Sequence, residues 1–183
     1  MKLSELSFKD AALQTCVLES GATTTEELVE LNCRDRGITS AAGIEQLTSL
    51  RLLDLTRNEL EEIDVSANAQ LRELFVGNNQ LTSLDLSGNK ELRHLEVFIN
   101  ELETLDVSHN TWLEDLYAGK NELCALDVSA NPQLVELRLP ENEIEAIDLS
   151  KNSQLEAVDL SKNPLNSQTK QLLQELSLRS LLV

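Results

Sequence analysis

The two histidines are the side chains best suited to metal binding or proton transfer in this chain. His94 and His109 fall at positions three and eighteen of one 21-residue segment, which places them on opposite sides of a coil where they cannot share a metal or relay a proton. The sequence contains no phosphate-binding glycine loop and no nucleophile elbow. We therefore predict a protein with no enzymatic activity, no catalytic metal and no organic cofactor.

The cysteines leave the redox state and the compartment open. Cys16 and Cys33 lie in one terminal region and could meet as a disulfide, but two buried reduced thiols explain them equally well. The first six residues lack the apolar stretch of a secretory signal, and no apolar run is long enough to span a bilayer. The sequence as it stands predicts a cytoplasmic protein, or an exported one if a signal peptide has been removed.

Acidic side chains outnumber basic ones by 32 to 15 and give a formal net charge of −17. Such a surface repels phosphate backbones and anionic lipid headgroups, so we expect no nucleic-acid or membrane partner. The same charge could steer a basic partner or simply keep an exposed sheet in solution. Carboxylates that recur at one spacing could hold Ca²⁺ or form a solvated acidic face. They include Glu59, Glu101, Glu122 and Glu143.

A 21-residue period organises most of the chain. The consensus of the repeats is L-x-x-L-x-L-x-x-N-x-L-x-x-L-D-L-S-x-N-x-x. Five consecutive units follow it, at 50–70, 71–91, 92–112, 113–133 and 134–154, and a partial unit starts at Leu155. A unit of 22 residues precedes them and starts at Leu28. Alternating apolar residues within each unit cannot be buried by one coil, so the coils must stack and align their leucines in columns.

The first half of the consensus, L-x-x-L-x-L-x-x-N, resembles the leucine-rich-repeat signature, and the resemblance covers about residues 28–165. The second half nearly repeats the first, as in a bacterial variety whose 21-residue units are internally nested. The unit from Leu28 is similar to an internalin-type repeat, with Arg36 where the others carry Asn. The resemblance implies an α/β fold, a leucine-rich-repeat solenoid of mostly parallel β coils with short helical caps at both ends.

Two asparagine columns and one aspartate column accompany the leucines. The asparagines, at the ninth and nineteenth positions of each unit, are expected to satisfy backbone groups in the turns. The aspartates precede [Leu/Val]-Ser, and this context predicts a second strand on the convex side, with Asp exposed or bonded to the following turn.

Both ends of the chain depart from the repeat, as the ends of a solenoid must if the outermost coils are to be covered. We predict a single domain with an N-terminal helical cap at 1–27, repeats at 28–165 and a C-terminal helical cap at 166–183. In the second cap, Asn166 or Ser167 begins a helix that carries apolar side chains. These are Leu172, Leu173 and Leu176.

The positions that the repeat leaves free on the concave face carry several of the few aromatic residues. Exposed aromatics within a polar surround are typical of binding hot spots. The predicted centre of the site comprises Phe75, Phe98, Ile99 and Tyr117. Its predicted margin comprises Arg72, Arg93, His94 and Trp112. The competing interpretation is a cross-strand charge ladder in which the aromatics are incidental.

These patterns favour a non-enzymatic protein-protein interaction scaffold that binds its partner on the concave face. We expect a monomer whose protein partner is basic or presents an exposed apolar anchor. The alternative is an exported internalin-like adhesion or surface-recognition module, which a disulfide between Cys16 and Cys33 would favour.

Overall fold

Short parallel strands stack in sequence order into one sheet in the computed structural model, which describes residues 1–175 and 180–183. The strands are β1 (Glu30–Asn32), β2 (Leu52–Asp54), β3 (Glu73–Phe75), β4 (His94–Glu96), β5 (Asp115–Tyr117), β6 (Glu136–Arg138), β7 (Ala157–Asp159) and β8 (Ser180–Leu182). Each strand pairs with the next one along the chain. The protein is therefore a parallel β-solenoid, as the repeat predicts.

The core consists of the predicted columns of aliphatic side chains. The central residues of neighbouring strands are paired, so Leu74, Leu95 and Leu116 stack directly on one another. Leu95 is 1% exposed and Leu105 is 8% exposed, as expected for core positions four and fourteen. The fourteenth position lies nearest the surface, and its first member, Ile63, is only partly buried. A fully buried Leu contributes about 1.5–3 kcal/mol, so these columns dominate the stability of the fold.

The first asparagine column ties each coil to the one before it. In Asn100, the side-chain amide nitrogen donates to the carbonyl oxygens of Val97 in its own coil and Val76 in the preceding coil, each at 3.0 Å. Its Oδ1 accepts from the backbone N–H of Leu81 at 3.0 Å. The same arrangement recurs along the column at Asn79, Asn121, Asn142 and Asn163.

The second asparagine column is also buried but makes fewer hydrogen bonds. The amide nitrogen of Asn110 donates to the carbonyl oxygens of Leu86 at 3.1 Å and Asn89 at 2.9 Å, both in the preceding coil. Within residues 1–175 and 180–183, the Oδ1 atom of Asn110 has no hydrogen-bond partner, and the same holds along the column. Both columns therefore have the structural role that the sequence predicts.

The aspartate column corrects one prediction. The segments around these aspartates form no strand in the part of the chain that the structure describes. Instead, Asp106 Oδ1 accepts from the backbone N–H of Ser108 at 2.9 Å, two residues on, and the other aspartates do the same. This side-chain turn offers the backbone an alternative to strand pairing. The exposed aspartates thus bond to the following turn, which is the second of the two arrangements that the sequence predicts for these side chains.

Helices occupy the two ends of the solenoid. Helix α1 (Ala11–Glu19) begins at Asp10, whose carboxylate accepts from the N–H groups of Ala12 and Leu13. Cys16 of this helix forms a disulfide with Cys33, which lies just after β1. Of the two alternatives that the sequence leaves open, the structure therefore contains the disulfide and not the pair of reduced thiols. Single turns of 3₁₀ helix lie at Leu3–Glu5 and Ile44–Gln46.

Helix α2 (Ser167–Gln174) begins at Asn166, whose side chain accepts from the N–H of Thr169 at 2.8 Å. Its Leu173 is buried and Leu172 is exposed, whereas Leu176 lies outside the described residues. Neither helix is both long and apolar enough to cross a membrane. The division into caps at 1–27 and 166–183 around the repeats stays a prediction.

Candidate functional site

Two rows of side chains point outward from the strands, on either side of the buried central column. The first residues of the strands form row three, which runs Glu30, Leu52, Glu73, His94, Asp115, Glu136 and Ala157. The third residues form row five, which runs Asn32, Asp54, Phe75, Glu96, Tyr117, Arg138 and Asp159. We call the surface formed by these two rows the sheet face.

A shallow depression of about 240 Å³ lies in the middle of the sheet face. It brings together three of the residues that the sequence singles out, Phe75, His94 and Tyr117. The rest of its lining is Glu73, Leu95, Glu96 and Asp115. The lining of the depression therefore includes two aromatic rings and three carboxylates.

Glu96 is the residue of this depression that sequence reasoning missed. It stands in row five between Phe75 and Tyr117, paired in register with both. Burial raises the pKa of Glu96, and the charge of Asp54 raises it further, while Arg34 and His94 act in the opposite direction. The only signal in the sequence was an acidic residue flanked by two aromatics at one repeat position.

Replacing this carboxylate should stabilise the fold. Because the pKa of Glu96 is raised in the folded state, its ionised form destabilises the fold above the ordinary Glu value of 4.5. We expect Glu96→Gln to raise the melting temperature at pH 7. The gain should shrink as the pH falls through the raised pKa and vanish once the carboxyl is protonated in both states. Thermal melts from pH 3 to pH 8 would check this, and a gain that persists at pH 3 would contradict the electrostatic cause.

Tyr117 is held in place by two charged neighbours. Its hydroxyl donates to Glu136 Oε2 at 2.6 Å, and Arg138 donates to the same oxygen at 2.9 Å. The guanidinium carbon of Arg138 also lies 4.9 Å from the centroid of the Tyr117 ring. Burial and the bond to Glu136 raise the pKa of Tyr117 well above its usual value, and the same bond lowers the pKa of Glu136. These contacts hold the Tyr117 ring in place.

The predicted margin residues lie at the beginnings of the strands. His94 Nδ1 is 2.7 Å from Asp115 Oδ2. Arg93 forms an ion pair with Glu114 and its guanidinium carbon lies 5.7 Å from the centroid of the exposed Trp112 ring. Arg72 is exposed one coil earlier. Cross-strand charge pairs are therefore present, as the competing interpretation expects. The His94–Asp115 pair lines the aromatic depression itself, whereas Arg93 and Glu114 are not among its lining residues.

Phe98 and Ile99 lie past the other end of β4. The Phe98 ring covers Gly77 in the preceding coil, because a Cβ atom placed on Gly77 would lie 2.7 Å from Phe98 Cε1. Phe98 is therefore partly buried by its neighbour. The sequence predicts a position that packing leaves free, whereas the structure packs the ring on the preceding coil. Only a glycine at this place in the preceding coil leaves room for the ring.

Ile99 has a backbone conformation that its side chain disfavours. It belongs to a row of residues with positive φ that we call the turn row. The other members are all polar or charged, and they are Asp35, Arg57, Asn78, Lys120, Glu141 and Lys162. Ile99 has a φ of 53° and its side chain is 40% exposed. A β-branched residue in this region is a conformational outlier that costs about 1–2 kcal/mol.

Relieving this strain should stabilise the protein. Asn tolerates the left-handed conformation and already occupies the turn row one coil earlier, at position 78. We expect Ile99→Asn to raise the free energy of unfolding by about 1 kcal/mol and the melting temperature by about 2–4 °C. The matched control, Ile99→Val, keeps the branched Cβ and should leave both nearly unchanged. Chemical and thermal denaturation would measure the difference, and an equal effect of the two substitutions would contradict the backbone explanation.

No group of three or more His, Cys, Asp or Glu side chains within residues 1–175 and 180–183 is arranged to hold a metal ion. The depression contains one histidine, His94, which is paired with Asp115. His109 lies in an exposed turn, next to Ser108. The two histidines thus lie in different parts of the coil, as their repeat positions predict.

Comparison with solved structures decides what the solenoid is. No protein-family profile matches the sequence, and no curated protein matches it either. Internalin C2 from Listeria monocytogenes superimposes with a TM-score of 0.67 and 20% identity, over 91% of this chain and 90% of that one. The chain is a leucine-rich-repeat solenoid. At this identity the likeness shows the fold alone.

A second leucine-rich-repeat structure adds a comparison of length. The functional domain of InlJ from Listeria monocytogenes, described as including a cysteine ladder, matches with a TM-score of 0.56 and 25% identity. The match covers 91% of this chain and 53% of that one, so the chain spans about half the length of that domain.

Proposed function

We propose that this leucine-rich-repeat chain is a non-enzymatic scaffold that binds a partner protein on its sheet face and the adjoining turn row. The centre of the binding surface would be Phe75, Phe98, Ile99 and Tyr117. Its margin would be Arg72, Arg93, His94 and Trp112. A rigid sheet fixes these side chains in advance, which limits the entropy lost on binding.

The observation that carries the proposal is the strained and exposed Ile99. Every other member of the turn row is polar or charged, and Asn at this place would relieve the strain. Strain that stability does not require is typical of functional sites. An exposed isoleucine beside Phe98, near the aromatic depression, is best explained by a partner that buries it.

Ile99→Asn is also the sharpest test of the proposal, since it should stabilise the fold while weakening binding. The partner is first captured from native lysate, identified and purified, and its Kd is then measured. We expect Ile99→Asn and Tyr117→Ala to weaken binding by about 30-fold, equivalent to about 2 kcal/mol. Lost binding in a variant that is more stable than the wild type cannot be attributed to unfolding.

The matched control is Glu101→Gln, in the same coil as Ile99. Glu101 belongs to the recurring carboxylates Glu59, Glu101, Glu122 and Glu143, which we call the acidic stripe. It should leave the Kd unchanged, because an exposed rim carboxylate contributes little to affinity. If Ile99→Asn and Tyr117→Ala bind normally and Glu101→Gln does not, the acidic stripe is the binding surface and the sheet face is not.

A second candidate function is an exported adhesion or surface-recognition module. The Cys16–Cys33 disulfide favours it, because structural disulfides persist in oxidising compartments and are rare in the cytosol. Thiol alkylation of protein isolated from its native source, followed by mass spectrometry, tests this candidate. Blocked Cys16 and Cys33 beside an alkylated Cys124, which is exposed and unpaired, would support export. Alkylation of all three would contradict it.

A further inference from the structure

We propose that the depression between Phe75 and Tyr117 binds an arginine side chain of the partner protein, with Glu96 as its counter-ion. The inference rests on the proposed function and deepens it, because it names the chemistry of the partner group that the sheet face recognises. The sequence identified the aromatics but gave Glu96 no role.

The spacing of the two rings suits a flat group held between them. Phe75 and Tyr117 stand in row five, on either side of Glu96, in strands two apart. Neighbouring strands are about 4.8 Å apart, so the two aromatic residues are separated by roughly 10 Å at the backbone. A planar group with rings on both faces needs about 3.5–4 Å on each side. The opening is therefore wide enough for a guanidinium group that lies over the Glu96 side chain, which stands between the two aromatic residues in the same row.

The lining of the depression contains three carboxylates and one histidine, so negative charge is in excess. Asp115 is paired with His94. In contrast, the side chains of Glu73 and Glu96 have no hydrogen bond or ion pair with any residue of 1–175 or 180–183. Burial disfavours the ionised form of Glu96, and its pKa is raised accordingly. The charges of Arg34 and His94 offset part of this penalty without an ion pair to Glu96, and a ligand cation in contact with the carboxylate would offset more of it.

The structure already contains one example of the proposed contact. Arg138, from the next strand, places its guanidinium 4.9 Å from the centroid of the Tyr117 ring. Tyr117 lines the depression together with Phe75 and Glu96, so a guanidinium that enters the depression would meet rings of the same kind. Arginine is suited to such a place because it stacks on aromatic rings, is weakly hydrated and donates two parallel hydrogen bonds to a carboxylate. The net charge of −17 would attract it from a distance.

The probe for this proposal is N-acetyl-L-arginine methylamide, compared with its neutral isostere, N-acetyl-L-citrulline methylamide. Each is titrated into the full chain while aromatic ¹H–¹³C resonances are recorded. We expect the arginine derivative to shift the signals of Phe75 and Tyr117 saturably, in the millimolar range, and the citrulline derivative to leave them unmoved. Glu96→Gln should weaken arginine binding about tenfold. The control Glu101→Gln should bind as the wild type does.

Equal binding of arginine and citrulline would overturn the proposal, as would the absence of saturable shifts or an unchanged affinity in Glu96→Gln. Phe75→Leu gives a second check, because it keeps an apolar side chain but removes one ring and should also weaken binding. The outcome is separable from that of the proposed function. A failed arginine titration with partner binding still lost in Ile99→Asn removes only the arginine site, whereas normal partner binding by Ile99→Asn removes the binding surface itself.

Discussion

Asn100→Ala is expected to lower the free energy of unfolding by about 3 kcal/mol. The side chain makes three hydrogen bonds to backbone groups, and it is only 8% exposed. Its removal would leave the N–H of Leu81 without its acceptor, at a cost of about 1–3 kcal/mol for a buried group. The carbonyl oxygens of Val76 and Val97 would each lose one of two amide donors and keep the bonds from Asn79 and Asn121. Equilibrium unfolding in urea would measure the loss.

Two matched variants isolate the cause. Asn110→Ala removes two hydrogen bonds of the second column, and we expect it to cost about 2 kcal/mol, because its Oδ1 is without a partner among the described residues. Glu101→Ala changes the exposed neighbour and should alter the unfolding free energy by less than about 0.5 kcal/mol. Equal losses in Asn100→Ala and Glu101→Ala would show that the asparagines do not hold the coils together.

Deletion of residues 166–183 is the second change with a large expected effect. The backbone N–H of Leu160 donates to the carbonyl oxygen of Leu182 at 2.7 Å, so β8 covers the edge of β7. Deletion would expose that edge together with the buried side chains of Leu155, Val158 and Leu160. Re-exposed leucines cost about 1.5–3 kcal/mol each, which is large against a total stability of about 5–15 kcal/mol.

We therefore expect the truncated chain to aggregate, as a solenoid with an open end and an unpaired strand should. Light scattering after size exclusion and a thermal melt would check this. Leu172→Ser serves as the control, since this leucine is 54% exposed and its replacement should leave both measurements nearly unchanged. A truncated chain that stays monomeric and melts normally would mean that residues 166–183 do not cap the solenoid.

The positions of the core could be predicted because the same apolar positions recur in five consecutive 21-residue units. A single leucine such as Leu95 has an ambiguous environment, but the same residue type recurs at Leu74 and Leu116 and forces the columns into register. The prediction of a second strand on the convex side was wrong for a local reason. Asp and Ser around Val107 alternate with apolar residues as in a strand, yet the Asp side chain bonds the Ser N–H and forms a turn.

The site was harder to predict than the fold, because it depends on contacts between different coils. The aromatic character of Phe75 and Tyr117 is evident from the sequence, as is their place in one row. The unpaired state of Glu96 between them requires knowing where every nearby cation goes. Likewise, the packing of Phe98 on Gly77 and the backbone conformation of Ile99 follow from three-dimensional geometry that residue type does not reveal.

The asparagine columns also determine how such a chain can change its length. Each asparagine amide bonds backbone groups in its own coil and in the coil before it. Each coil in turn presents an equivalent set of backbone groups to the asparagine of the coil that follows. A duplicated 21-residue unit, inserted in frame, would therefore find its donors and acceptors already matched on both sides. Each such duplication would widen the sheet by about 4.8 Å and add one residue to every row of the sheet face. Recombination between near-identical units would thus change the length of the sheet face while the same core columns continue through the added coil.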